Sequence, residues 1–411
     1  MTHVLAGPFS TYQLALLGAD VIRVEHPEGN DIGRVNDPDP IRSAARLGIG
    51  FIAQNANKRS IALDLKRKDG CDAFRRIAAT CDVVVENFRP GKMASLGLGA
   101  NVLRELKPEL IYCSITGFGQ NGPLANRPAY DHIIQGMSGL MSVTGTNEFG
   151  PTRVGTPITD YIVGLMAAFA ITTALVQRER TGKGAVIDAS MLDATLTLMG
   201  PVVAEWAIAG RVPGLAGNKP FSRSPFSGCF DTADGKIVVV ANTSGQISAL
   251  ACICGLDAVL SDPRIANWKN HPELPGEVTP LLTEVFLTRP ALEWERLFAE
   301  ASIPCCKVRN VPEVLEEEQV RAGNTLLEVS VPDLGETYRL PGIGCRIDGT
   351  AGRVTTPPPG HGEHTTEILE EAGYEPDQIE NLIDCGAAVA GSQLDRSPRG
   401  GTRPRNTEGA N

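Results

Sequence analysis

The chain has 411 residues, a formal net charge of −10 at pH 7, 42% hydrophobic residues and 21% charged residues. This length suits two domains or one large α/β unit, and the composition is that of an ordinary globular protein, which excludes a fibrous, disordered or disulfide-scaffold chain. The acidic balance argues against a broad basic surface, so nucleic acid is not an expected partner.

Helices and strands alternate through the first half of the chain. "GPFSTYQLALLGAD" predicts a first helix, because Pro8 suits a first helical turn and Gly18 suits a helix end. The further predicted elements are strands 21–25 and 60–65, helix 69–80, strand 82–87, helix 101–109, strand 110–116, helices 130–143 and 160–178, strand 185–191 and helix 192–210. This alternation predicts an α/β fold with a parallel sheet covered by helices.

Composition changes divide the chain. A Gly-, Pro- and Ser-rich stretch at 211–228 predicts a large domain over 1–210 and a small domain over 211–325. Within the small domain, "CFDTADGKIVVVA" predicts a hairpin, followed by helical segments over 245–300 and a helix over 311–323. Residues 326–387 return to strand, loop and helix and are expected to rejoin the large domain, and residues 388–411 are expected to form a disordered tail.

The sequence favours a cytoplasmic protein without a membrane span or a metal. The apolar run 161–176 is shorter than the roughly 20 residues needed to cross a bilayer, and "MTHVLAGPFS" lacks the pattern of a secretory signal. Ten cysteines are therefore expected to be reduced thiols. The Cys pairs at 252–254 and 305–306 lack a second pair at finger-like spacing, and "HGEH" at 361–364 is interpreted as a turn and helix start.

Two strand ends and one aspartate are the candidates for chemistry. The strands ending at 86–88 and 114–119 run into loops, where a ligand crevice and an ordinary strand exit are both open interpretations. Asp160, in "GTPITDYIVG", stands where a loop gives way to a long helix. Helix capping alone favours a structural role, although a helix start would also aim a carboxylate nucleophile.

Seven segments in the same order resemble the class III CoA-transferases, the CaiB/BaiF family. They are "THVLAGPFSTYQLALLGADVIRVEHPEGND", "NANKRSIALDLK", "ENFRPGKMASLGLG", "ELIYCSITGFGQNGP", "AYDHIIQGMSGLMSVTG", "DYIVGLMAAFAITTALVQRERTGKGAVIDASMLDA" and "PPPGHGEHTTEIL". The resemblance implies a Rossmann-like large domain, a smaller inserted α+β domain and an interlocked homodimer. It also implies an enzyme that moves CoA from an acyl-CoA to a free carboxylic acid, with CoA as substrate and no permanently bound cofactor.

The resemblance assigns roles to individual residues. Asp160 occupies the place of the catalytic aspartate, which forms anhydride and CoA thioester intermediates, and Asp131 occupies the place of an accessory acid. The positions that match CoA-lining residues are His3, Val4, Arg34, Leu63, Lys66, Asn87, Phe88 and Arg127. Arg34 and Lys66 suit the phosphates of the ligand.

Two alternatives accompany this prediction. The related α-methylacyl-CoA racemases exchange an α-proton with a His–Asp pair, and their His falls at Tyr130; a phenol, with an ordinary pKa near 10, is poorly matched to that step. The other alternative is an inactive acyl-CoA-binding homologue, because relatives usually have about a dozen more residues before "THV", which form a first strand, and a Gly-rich loop that "GLAGNKPFSRSPFSG" does not match. The form of "ELIYCSITGFGQNGP" resembles relatives that act on dicarboxylic acids.

Overall fold

A computed structural model describes residues 1–219, 222 and 224–391. The strands in chain order are β1 (Val21–Glu25), β2 (Lys58–Leu63), β3 (Val83–Glu86), β4 (Ile111–Thr116), β5 (Gly145–Thr146), β6 (Gly150–Pro151), β7 (Val186–Ser190), β8 (Gly228–Asp231), β9 (Lys236–Val239), β10 (Cys305–Lys307), β11 (Leu326–Val331), β12 (Glu336–Pro341) and β13 (Ala388–Val389).

The helices in chain order are α1 (Ala6–Leu16), α2 (Ile32–Val35), α3 (Pro40–Ala44), α4 (Ile49–Ile52), α5 (Lys68–Thr80), α6 (Lys92–Ser95), α7 (Ala100–Leu106), α8 (Asp131–Met137), α9 (Leu140–Val143), α10 (Ile158–Thr181), α11 (Met191–Leu198), α12 (Gly200–Ala209), α13 (Ser244–Ile253), α14 (Leu274–Phe286), α15 (Ala291–Glu300), α16 (Val311–Glu316), α17 (Glu318–Ala322), α18 (Thr365–Glu371) and α19 (Pro376–Asp384). Short 3₁₀ turns cover Asp257–Ser261, Pro263–Asn270 and Pro332–Leu334.

The described chain divides into two compact units. The first contains Met1–Leu140, Val154–Gly210 and the described residues from Gly323 onward, and the second contains Met141–Arg153 and Arg211–Ala322. The sequence predicts boundaries at 210 and 325 and gives no sign that 141–153 leaves the large domain. That short excursion carries the small hairpin β5–β6, whose strands are two residues each and carry little pattern.

The first unit contains two three-stranded sheets. β3, β4 and β7 are parallel, whereas β1 and β2 are parallel and β13 adds an antiparallel strand to β2. Every residue of β4 is buried, as expected for a parallel strand covered on both faces. The fold is therefore mixed α/β with parallel sheet segments, although one continuous parallel sheet is the simpler expectation from the alternation.

The predicted tail begins too early. Ala388 and Val389 pair with Leu63 and Ala62 of β2, and Ala388 is fully buried. A strand of two small apolar residues is too short to be recognised from periodicity, but it covers an edge of β2 that would otherwise be unpaired. The remainder of the predicted tail, from 392 onward, lies outside the described residues.

The second unit is built on the antiparallel sheet β10–β9–β8. Its β8–β9 hairpin matches the predicted one, and its core packs Phe286, Trp294 and Phe298 with ring centroids 5.3 to 5.7 Å apart. The predicted helix 311–323 is present as two short helices, α16 and α17.

Helix α10 is longer than the sequence suggests. It has 24 residues, ends at Gly182 in the left-handed region and has Arg178 and Arg180 in its last turn, as the helix dipole favours. By length and composition it is long and apolar enough to cross a membrane, so the prediction that this run is too short is wrong, and α11 with α12 passes the same test as a bent pair. One face of α10, with Val163, Ala167 and Ile171, is fully buried in the core of the first unit.

Candidate active site

The first unit contains a cavity of about 430 Å³ at the carboxyl ends of β3 and β4. Its walls come from residues 3–6, the loop after β3, residues 115–117 at the end of β4, the segment 125–130, Asp160 of α10 and Met191 of α11. Ligands of parallel sheets bind at this edge, and the volume is typical of a small-molecule site. The crevice interpretation of the strand ends 86–88 and 114–119 is thus the one that the geometry supports.

Four predicted CoA-lining residues come together in this cavity. His3, Val4, Asn87 and Phe88 all line it. The backbone N–H of His3 donates to Asn87 Oδ1 at 3.0 Å, Asn87 Nδ2 donates to the His3 carbonyl at 2.9 Å, and the rings of His3 and Phe88 lie 5.6 Å apart. The loop after β3 therefore holds the start of the chain against the cavity.

Val4 has a left-handed backbone, with φ of 63°, which is unfavourable for a β-branched residue. Hydrogen bonds hold this conformation from both sides: its N–H donates to Asp31 Oδ1 at 3.3 Å, and its carbonyl accepts from Gln54 Nε2 at 2.9 Å. Strained backbone of this kind persists only where the surroundings over-determine it, and it concentrates at functional sites.

Asp160 is the third residue of α10 and lines the cavity with a partly buried side chain. Burial, and secondarily the nearby Asp131 carboxylate, raise the pKa of Asp160 to about 7. An aspartate with this pKa is present in both protonation states near neutrality, and its ionised form is a stronger nucleophile than an ordinary carboxylate. The position and electrostatics thus go beyond those of a simple capping residue.

Asp131, the predicted accessory acid, is buried, with 8% of its surface exposed. Its Oδ1 accepts from the N–H of Thr159 at 2.7 Å and from Thr159 Oγ1 at 2.8 Å, and its Oδ2 accepts from Gln135 Nε2 at 2.6 Å. A carboxylate with three close donors is fixed in direction and has both oxygens engaged, so this geometry is better suited to support than to proton transfer.

Three basic side chains line the cavity, and the sequence pointed to only one of them. Arg127, which the resemblance suggested, lines the cavity and is exposed, whereas Arg89 and Lys92 come from "ENFRPGK" directly after β3. The signal for the latter two was their place in a loop at the carboxyl end of a parallel strand. Together they give the cavity a local positive charge suited to phosphates or carboxylates, despite the acidic chain.

Arg34, the predicted phosphate contact, does not line this cavity. It is fully buried, it donates from Nε and Nη2 to the two carboxylate oxygens of Glu25 at 2.7 Å each, and its guanidinium lies 3.6 Å from the ring centre of Phe51. A further bond runs from Nη2 to the carbonyl of Pro359 at 3.1 Å. The donors of Arg34 are thus engaged in the core, where removal of one partner of the pair would leave a buried charge uncompensated.

Two other predicted contacts lie elsewhere. Leu63, the last residue of β2, is 1% exposed and packs in the hydrophobic core with Phe74 and Ile77. Lys66 is exposed in the turn that follows, where its backbone N–H donates to Asp64 Oδ1 at 2.9 Å. Neither Leu63 nor Lys66 lines this cavity.

The histidines of "HGEH" have structural partners. His361 Nε2 lies 2.9 Å from the carbonyl of His26, and His364 precedes α18 and accepts at Nδ1 from the N–H of Ser60 at 3.3 Å. Among the residues that the structure describes, no group of three or more His, Cys, Asp or Glu side chains is placed to hold a metal ion.

Comparisons with known proteins agree with the motif resemblance. The model of "CoA-transferase family III" matches residues 1–365. Succinyl-CoA:glutarate CoA-transferase of Mus musculus is 35% identical over 389 residues, covering 94% of this chain and 88% of the mouse protein. Succinate–glutarate CoA-transferase of Agrobacterium fabrum is 36% identical over 376 residues, covering 90% and 93%.

A solved structure shares the fold. A CaiB/BaiF family protein from Brucella suis is 30% identical, with a TM-score of 0.78 over 90% of this chain and 97% of the Brucella protein. The family predicted from the seven motifs is thereby confirmed.

Proposed function

The chain belongs to CoA-transferase family III, and from this membership we propose that it transfers CoA from an acyl-CoA to a free carboxylic acid with Asp160 as nucleophile. The observation that carries the proposal is the Asp160 carboxylate, which lies in the wall of a cavity that also contains Arg89, Lys92 and Arg127. A nucleophile beside cations that can hold an anionic substrate is the arrangement that acyl transfer needs.

The proposed reaction proceeds by two symmetric exchanges. The ionised Asp160 attacks the thioester carbonyl and expels CoA thiolate, which gives an acyl–aspartyl anhydride. The thiolate attacks the aspartyl carbonyl, releases the donor acid and leaves an aspartyl–CoA thioester. The acceptor carboxylate attacks this thioester and again expels CoA thiolate, and the thiolate then attacks the acceptor carbonyl of the new anhydride, so that acyl-CoA leaves and the Asp160 carboxylate is regenerated. Each step replaces one activated acyl bond by another, which keeps the barriers low.

The second proposal concerns the acid. We propose a dicarboxylic acid acceptor, because the mouse and Agrobacterium relatives are named for succinyl-CoA or succinate and glutarate. The three basic side chains of the cavity could hold a distal carboxylate as well as the phosphates of CoA.

Helices α10 and α12 carry large apolar side chains that are exposed. Leu165, Phe169 and Trp206, on α10 and α12, are between 44% and 70% exposed. Large apolar side chains left exposed in this way favour a partner, and we propose a second copy in an interlocked cytoplasmic homodimer. Light scattering of the purified protein and its distribution between soluble and membrane fractions distinguish this from insertion of α10 into a membrane.

The test of function uses succinyl-CoA with a panel of monocarboxylic and dicarboxylic acids. New acyl-CoA is measured by chromatography, and the peptide that contains Asp160 is examined by mass spectrometry for a CoA adduct. We expect Asp160→Asn to lose both signals. The matched control is Asp193→Asn, which removes an exposed aspartate from the first turn of α11 and should leave both unchanged.

Two other outcomes would replace the proposal. Exchange of an α-proton without an adduct would favour the racemase, although Tyr130, 63% exposed and stacked at 6.4 Å on His132, stands where a racemase base is needed. Saturable acyl-CoA binding with neither exchange nor adduct would favour the inactive homologue.

A further inference from the structure

The start of α10 is capped by a side chain from another helix. Pro157 precedes the helix and, as a proline, has no side-chain acceptor for the free N–H groups of the first turn. Asp131, the first residue of α8, supplies this acceptor: its Oδ1 receives the backbone N–H of Thr159 at 2.7 Å and the Thr159 hydroxyl at 2.8 Å. The residue so fixed is the immediate neighbour of Asp160.

The other oxygen of Asp131 is fixed by Gln135. Gln135 Nε2 donates to Asp131 Oδ2 at 2.6 Å, and Gln135 Oε1 accepts from the N–H of Val154 at 2.8 Å. Since a carboxylate only accepts and a backbone N–H only donates, this is the one orientation of the amide that satisfies both neighbours. Gln135 and Thr159 are both fully buried, so water cannot replace either bond at low cost.

We infer that Asp131 is a positioning residue for Asp160. Gln135 supports this role because it fixes the second oxygen of the Asp131 carboxylate. The inference rests on the proposed function, because it assigns a purpose to the placement of the nucleophile. The chain of bonds Val154–Gln135–Asp131–Thr159 joins the loop before α10, helix α8 and the first turn of α10. Such a link holds the nucleophile in the narrow geometry that attack on a thioester requires.

The donors and acceptors at positions 131 and 135 suggest a matched set of variants. Asp131→Asn places an amide against the Gln135 amide, so two donors meet, and Gln135→Glu places a second carboxylate against Asp131. In the double variant every donor again faces an acceptor. The new amide at position 131 would accept from Thr159 and donate to the new carboxylate at position 135. That carboxylate would still accept from Val154. Both positions keep their volume, so rescue by the double variant reports the bonds themselves.

The kinetic arm measures CoA transfer at a pH of about 8.5, above the pKa of Asp160. We expect each single variant to lower kcat by roughly 10- to 100-fold with KM for acyl-CoA changed by less than about threefold, because misplacement affects attack more than binding. The double variant should recover at least roughly tenfold in kcat. Wild-type kcat in the single variants, or no recovery in the double variant, would overturn the inference.

A second arm does not depend on turnover. Asp160 in the substrate-free protein is coupled to an amine by a carbodiimide, and the labelling rate of its peptide is measured by mass spectrometry. We expect the single variants to change this rate by more than about threefold and the double variant to return it, since both protonation and access depend on the local geometry. Equal rates in all four proteins would overturn the inference even if the wild type transferred no CoA.

One further variant guards against loss of folding. Thr159→Val removes only the hydroxyl donor and keeps the N–H bond to Asp131, so the protein should fold. A fall in kcat of roughly threefold or more is expected, because one of the three hydrogen bonds to the Asp131 carboxylate is lost. An unchanged kcat would count against the role of Asp131 as a fixed acceptor.

Discussion

Asn87 brackets the backbone of His3, accepting its N–H at 3.0 Å and donating to its carbonyl at 2.9 Å. These two bonds tie the cavity-lining start of the chain to the end of β3. We expect Asn87→Ala to raise KM for acyl-CoA by up to about 30-fold, since two hydrogen bonds of about 1 kcal/mol each would be lost. Steady-state kinetics give the value.

The control for Asn87 is Asn57, which also bridges distant backbone: its Nδ2 donates to the Arg353 carbonyl and its Oδ1 accepts from the N–H of Thr355. Asn57→Ala should lower Tm and leave KM for acyl-CoA unchanged. An equal rise in KM in both variants would mean that Asn87 acts only through stability.

Lys92 and Lys66 form a second discriminating pair. Lys92 lines the cavity, whereas Lys66 is exposed in the turn after β2. Lys92→Ala should raise KM for acyl-CoA several-fold, and the difference from wild type should shrink as salt screens the attraction to phosphate. Lys66→Ala should have the wild-type KM at every salt concentration, and a salt-dependent rise there would restore the contact suggested by "LDLK".

The rate of transfer should follow ionisation of Asp160. Because burial and the Asp131 charge raise the pKa of Asp160 to about 7, the nucleophilic form is lost on acidification through neutrality. The expected profile of kcat/KM rises about tenfold per pH unit below 7 and is level above it. His3 also lines the cavity, and burial lowers its pKa from the ordinary value of 6.5, so the profile of a His3 variant identifies the titrating group. If kcat/KM stayed level from about pH 5 to about pH 7, Asp160 would not be the titrating nucleophile.

The same shift has a consequence for stability. The pKa of Asp160 is about 7 in the folded protein, above its ordinary value of 3.8, so the folded state binds the proton more tightly and stability falls as pH rises from about 4 to about 7. Asp160→Asn removes this loss. We expect the variant to be more stable than wild type at pH 8 by on the order of 2 kcal/mol, after allowance for partial exposure, and equal to it near pH 4. Urea unfolding at both pH values measures the difference.

The seven motif segments allowed the family to be predicted by resemblance. The class of fold could be predicted because long strands such as β4 and long helices such as α10 have patterns that a single residue cannot disturb. It did not reveal β13, whose two residues carry no periodicity and are ordered only by pairing with β2. It also did not predict that the parallel strands fall into two sheets, because strand order depends on contacts between distant segments.

The roles of single residues in the site also depend on contacts that the sequence does not reveal. Arg34 follows the first motif segment and Arg89 lies in the third, yet Arg34 is fully buried against Glu25 and Arg89 lines the cavity. Charge alone does not separate a core ion pair from a ligand contact. Likewise, Gln135 had no signature in the sequence, because its role exists only where α8, Val154 and the start of α10 meet.

Close packing of α1 on α10 gives the last prediction. Gly164 lies one helical turn after Asp160, on the same face, and a Cβ added there would lie 2.9 Å from the Ala6 carbonyl oxygen and 2.9 Å from Phe9 Cδ1. Alanine is a better helix former by about 1 kcal/mol, but backbone contacts this close cannot relax without moving α1, and overpacking typically costs about 1–3 kcal/mol. Since Ala6 lines the cavity, Gly164→Ala should lower Tm and also raise KM for acyl-CoA.

The control is Gly200→Ala at the start of α12, where an added Cβ meets nothing within 4 Å. This variant should be as stable as wild type or slightly more so, with unchanged KM. If Gly164→Ala were stabilising with normal KM, the contact between α1 and α10 would be looser than the distances indicate, and the cavity wall would not depend on it.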